Sequence, residues 1–132
     1  MNNYEEILKN LCRKSEQKIN KKLDKLEPDL MITLTNDQKQ TLLKLVVKFQ
    51  EAQIVKCVEE MSELTKELCK FVNNKNVDET ISEKNMDNIS EEIADVYIML
   101  EQMLIYFGNK EDVEKIINEK IERTKKRLLE EK

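Results

Sequence analysis

One glycine and one proline in 132 residues leave this chain few places to turn. Gly108 and Pro28 are those two residues, and aromatic residues make up only 5%. Sheets need frequent turn residues and strand-favouring aromatics, so the expected class is all-α. Charged residues account for 38% of the chain, which leaves each helix only a thin apolar stripe. Stripes of that kind are often covered by another subunit. The length suits one domain around a single core.

Charge and residue types narrow the chemistry. A net charge of −4 gives no general nucleic-acid footprint. The N-terminal stretch is locally basic (Lys9, Arg13, Lys14, Lys18, Lys21, Lys22, Lys25), but Glu5, Glu6, Glu16 and Asp24 are interspersed, as on a solvated helix. There is no histidine, which removes Ser-His-Asp and Cys-His catalysis, typical zinc sites and the Glu-x-x-His ligands of di-iron bundles. Carboxylates, Lys, Arg and a bound metal remain as chemical tools. Cys12, Cys57 and Cys69 fit no C-x-x-C spacing, and Cys57 and Cys69 are expected as small core residues. Lys44 and Lys48 interrupt the best apolar run, so no membrane span is expected. The first residues lack signal-peptide features, and a reducing cytoplasm is the expected setting.

Periodicity places the elements. Tyr4, Ile7, Leu8, Leu11, Ile19, Leu23 and Leu26 predict a first helix over Asn3 to Leu26, ended at Pro28. After an apolar connector, Thr35-Asn36-Asp37-Gln38 is a capping-box signature. The helical pattern then continues to about Val72, with a break expected near Phe49-Gln50-Glu51. Ile54, Cys57, Val58, Met61, Leu64, Thr65, Leu68 and Phe71 form its apolar stripe, with Glu60 and Glu63 on the adjoining polar stripe. Asn73 to Asp87 is polar and non-periodic and reads as a loop, with Asn88 capping the next helix. Gly108 suits a left-handed helix end, and Asn109 is the expected cap of a last helix to about Leu129.

Two acidic clusters stand inside these helices, Glu59-Glu60-Met61-Ser62-Glu63 and Glu91-Glu92-Ile93-Ala94-Asp95. Glu60 and Glu63 lie one turn apart on one face, and Glu92 and Asp95 repeat the geometry. With 27 Asp and Glu residues, roughly five such pairs arise by chance, and a solvated face is the plain alternative. If the helices run antiparallel and touch, four carboxylates converge and require a cation. All-oxygen ligands select Mg²⁺, with Mn²⁺ a substitute, and a substrate bearing phosphates. The window Ile93 to Leu100 makes the sequence around Asp95 strongly apolar.

The segment Ile54-Val55-Lys56-Cys57-Val58-Glu59-Glu60-Met61-Ser62-Glu63-Leu64 resembles the E-E-x-x-E segment of MazG-like nucleotide pyrophosphohydrolases. Ser90 to Gln102 resembles that family's E-x-x-D segment, and the 28 residues between (64–91) suit its variable spacer. The closing stretch Lys120 to Leu128 is similar to the basic end of short, single-domain members. The resemblance covers about Leu42 to Leu129, which divides the chain into an N-terminal helix and connector (1–35) and a catalytic domain (36–132). The chain departs from many members in having Phe49-Gln50-Glu51 where they have a Gly or Pro break, and Thr124 where they carry Asn.

The resemblance implies a helical bundle whose four-helix core is completed by a second subunit, in a homo-oligomer (a dimer or dimer of dimers), with an extra N-terminal helix. It implies Mg²⁺-dependent hydrolysis of nucleoside triphosphates to monophosphate and pyrophosphate, with Glu60, Glu63, Glu92 and Asp95 as metal ligands. Attack on phosphorus builds charge that a divalent ion neutralises. Glu59 is the expected catalytic base or a supporting acid, or a solvated neighbour of the ligands. Lys120 and Arg123, with Arg127 on the same face, are candidate phosphate contacts, as is Lys70, one heptad beyond Glu63. Three alternatives stand beside this reading. They are a non-enzymatic helical interaction protein, a nucleotide-binding regulator on the same fold, and an all-α dUTPase.

Overall fold

The capping box expected at Thr35 forms. The Gln38 amide donates to Thr35 Oγ1 at 3.1 Å and the Thr35 amide donates to Gln38 Oε1 at 2.9 Å, so two of the otherwise orphaned N–H groups are satisfied. In this computed structural model the described residues are 32–74 and 79–131, with Glu6, Lys9, Asn10, Arg13, Lys14 and Gln17. Those six positions are helical. The rest of the expected helix over Asn3 to Leu26, including Cys12, lies outside the described residues.

Four helices follow in order: α1 (Asn36–Phe49), α2 (Ala52–Asn73), α3 (Glu79–Phe107) and α4 (Lys110–Glu130). There is no strand among the described residues, as the composition implies. The break after Phe49 occurs where expected and without glycine. Gln50 takes φ 48° and its N–H donates to Val46 O at 2.8 Å. Gly108 takes φ 61°, and its N–H donates to Leu104 O at 3.0 Å. Asn109 occupies the position before α4 but its side chain makes no capping bond, contrary to expectation.

The largest correction concerns the stretch read as a loop to Asp87. Residues 79–87 belong to α3, and Asn88, expected as its cap, is a half-buried interior residue. The reason is a tertiary contact that periodicity does not register. Asn85 is buried, and its amide donates to Glu67 O at 3.1 Å and to Glu67 Oε2 at 3.0 Å.

Packing is concentrated between α2 and α3, with α1 laid chiefly against α3. The α2 seam runs through Gln53, Cys57, Glu60, Leu64, Glu67 and Phe71, all buried or half-buried, at alternating spacings of four and three residues. That is coiled-coil spacing with a polar residue at every second position. Facing it on α3 are Asn85, Asn88, Glu92, Asp95, Met99 and Gln102, also buried or half-buried. The apolar core is correspondingly small: Leu42, Val46, Cys57, Ile89 and Met99. Much of the expected apolar stripe points outward. Val58, Met61 and Leu68 are exposed, and so is Cys69, expected in the core. Tyr97 ties the connector to α3 by donating to Ile32 O at 2.7 Å. No described helix is long and apolar enough to cross a membrane.

Candidate metal centre

Antiparallel pairing of α2 and α3 brings polar residues together in layers one heptad apart. Gln53, Glu60 and Glu67 are spaced by seven on α2, and Asn88, Asp95 and Gln102 by seven on α3. In the first layer Gln53 Nε2 donates to Gln102 Oε1 at 2.6 Å, and Gln102 is 1% exposed. In the last, Glu67 meets Asn85 and Lys70, whose Nζ donates to Glu67 Oε1 at 3.0 Å. The Lys70 amine, Asn85 and Asn88 hold the Glu67 carboxyl below the usual range, against the opposing effect of burial.

The middle layer holds the acids. Glu60, Glu92 and Asp95 each bring one carboxylate oxygen within 4.8 Å of the others, and all three are half-buried. Burial, then Asp95, Glu60 and Glu63, push the Glu92 carboxyl above its ordinary range. Glu92 Oε2 is buried with no hydrogen-bond partner among the described residues. A buried carboxylate oxygen facing like charges is costly unless a cation or a proton meets it. Oxygens on a single Mg²⁺ at about 2.1 Å lie at most about 4.2 Å apart, close to the spacing of this set. The donor set fits a hard divalent ion.

The other expected site residues stand further off. Glu63 is exposed on α2, outside the three-oxygen cluster, although its charge acts on Glu92. Glu59 is also exposed, and its ion-pair partner is Lys56 at 3.8 Å. Lys70 is committed to Glu67, about 10 Å along the helix from Glu60 at 1.5 Å per residue. Lys120, Arg123 and Arg127 are exposed on α4, a helix with no buried residue, and none makes an ion pair with the cluster. The apolar window around Asp95 does not surround it in space, since Ile93, Ile98 and Leu100 project outward. A groove of about 280 Å³ between α1 and the end of α3, lined in part by Leu42, Leu104 and Lys110, shares no residue with the cluster.

Sequence reasoning missed Gln53, Gln102, Asn85 and Asn88. The signal that finds them is their seven-residue spacing from the acids. It also passed over Lys56, whose Nζ lies 2.8 Å from Glu60 Oε1. No protein-family model, curated protein or solved structure matches this chain.

Proposed function

We propose that the chain is a Mg²⁺-dependent nucleoside triphosphate pyrophosphohydrolase of MazG-like type, converting a (d)NTP and water to (d)NMP and pyrophosphate. The observation that carries this reading is the convergence of one carboxylate oxygen each from Glu60, Glu92 and Asp95, with Glu92 Oε2 buried and without a hydrogen-bond partner among the described residues. Glu60, Glu92 and Asp95 would hold the ion, with Glu63 swinging in from one turn along α2 as the fourth ligand. A divalent cation there supplies charge neutralisation, substrate orientation and a bound water of lowered pKa. Glu59, exposed beside the ligands and paired with Lys56 at 3.8 Å, would be the base that accepts a proton from the attacking water. Lys120, Arg123 and Arg127 are candidate cations for phosphate, to be brought to the site by assembly of the oligomer, and Lys70 reaches phosphate only by leaving Glu67.

Self-association belongs to the same proposal. Met86, Ile93, Leu100 and Phe107 recur at heptad spacing on α3 and are all exposed. On α4, Ile116, Ile117, Ile121, Leu128 and Leu129 are exposed too. A hairpin with a polar seam and apolar outer faces is stabilised by a second copy covering those faces. We place the enzyme in the cytoplasm as a homo-oligomer acting on free nucleotides. The same exposed stripes favour a second reading, a helical-bundle interaction protein without catalysis. Pyrophosphate release from a panel of NTPs and dNTPs, with and without EDTA, separates the two.

A further inference from the structure

Lys56 is the cation that, among the described residues, pairs with one carboxylate of the acidic layer, Glu60. Its Nζ is 2.8 Å from Glu60 Oε1 and 3.8 Å from Glu59 Oε2, and Asp95 also acts on it. No other described Lys or Arg comes within ion-pair distance of Glu60, Glu92 or Asp95. The Lys56 side chain is 52% exposed and the Glu60 side chain 14%, so a solvent-facing lysine covers a recessed carboxylate. Lys four residues before Glu is the weaker orientation for a helix-stabilising pair; the exposed Lys110–Glu114 pair of the same orientation is looser, at 3.8 Å.

We infer that Lys56 is the built-in counter-charge of this acidic layer: its ammonium holds the Glu60 carboxylate when no divalent ion is bound, and moves onto the phosphates of the substrate when the ion enters. The inference rests on the metal reading proposed above. One ammonium offsets one of three negative charges and leaves Glu92 Oε2 unmet, so the apo protein keeps a preference for a divalent ion. With a divalent ion held by Glu60, the Lys56 ammonium would be repelled from that carboxylate. A triphosphate then offers the released amine new anionic partners. Lys56 would thereby couple the two ligands, weakening metal binding in the absence of nucleotide and supporting it in its presence, and such coupling is reciprocal.

The test uses the full chain and its Lys56→Met and Lys56→Arg variants, with Mn²⁺ as probe and no nucleotide. Free Mn²⁺ is read by electron paramagnetic resonance. Removing one positive charge about 5 Å from a divalent ion at a wet surface corresponds to roughly tenfold, so Lys56→Met is expected to bind Mn²⁺ about tenfold more tightly and Lys56→Arg as the parent does. In hydrolysis assays Lys56→Met is expected to raise KM for every nucleotide turned over, with recovery in Lys56→Arg. Mn²⁺ affinity unchanged or weakened in Lys56→Met would overturn the inference while leaving the metal site standing. Tighter Mn²⁺ binding with unchanged KM would overturn the phosphate role. Absence of Mn²⁺ binding in all three proteins would remove the metal reading and this inference together.

Discussion

Gln53 Nε2 donates to Gln102 Oε1 at 2.6 Å across the α2–α3 seam, and one heptad away on both helices stand Glu60 and Asp95. The amide pair is a register pin. A slip of one turn would carry the Glu60 carboxylate away from Asp95 and bury an unpaired amide. Gln53→Leu leaves Oε1 of the 1%-exposed Gln102 without its donor and should cost about 1–3 kcal/mol. The double variant Gln53→Leu with Gln102→Leu should recover most of that, because both polar partners are then gone. Urea unfolding of the three proteins gives the cycle. Additive losses would show that the pair does not act as a unit.

Glu92 should make the metal-free protein less stable as pH rises. Burial and neighbouring acids raise its folded-state pKa, so the folded form holds the proton more tightly than the unfolded chain does. That contribution is complete below the ordinary Glu value and is lost as pH climbs through the raised one. In EDTA, Tm is expected to fall across this window, to fall less in Glu92→Gln, and to recover in the parent when Mg²⁺ is added. A Glu92→Gln Tm curve parallel to the parent's would assign the slope to other groups.

Glu67 has the opposite sign. Its Lys70 and Asn85 partners lower its folded-state pKa, so its stabilisation is complete above the ordinary Glu value and is lost as pH falls through the lowered one. Glu67→Gln should flatten the acid limb of the stability curve while leaving Mn²⁺ affinity within about twofold, since it lies two helical turns from Glu60. A large loss of Mn²⁺ binding in this variant would place Glu67 in the metal site.

The elements were legible where local chemistry decides them: the Thr35 box, the break at Phe49 and the Gly108 terminus. The acids at 60, 92 and 95 were legible as spaced pairs, and their convergence required only that two helices pair antiparallel. The seam was legible only in part, through Cys57, Leu64 and Phe71, because its other inward positions are Gln, Asn, Glu and Asp. A pattern reading sends those residues to solvent and Val58, Met61 and Leu68 to the core, and the structure reverses both. The first turns of α3 were hidden for the same reason, since Asn85 holds them through Glu67 rather than through an apolar stripe.

Leu100 lies in the middle of the exposed heptad run from Met86 to Phe107. Leu100→Glu places a charge on that face without touching the acidic layer. Sedimentation equilibrium is expected to show the parent as a dimer or larger and the variant at least about tenfold weaker in association, in line with loss of a buried apolar anchor. A monomeric parent would leave the stripe without the partner assigned to it.

The most direct test of the central claim is pyrophosphate release from the NTP and dNTP panel with Mg²⁺, measured for the parent chain and for Asp95→Asn. The account expects monophosphate and pyrophosphate in equal amounts from at least one nucleotide, abolished by EDTA and reduced at least about a hundredfold in Asp95→Asn, as for loss of a charge-stabilising group. A folded parent that releases no pyrophosphate from any nucleotide, and whose Tm ignores Mg²⁺, would contradict it.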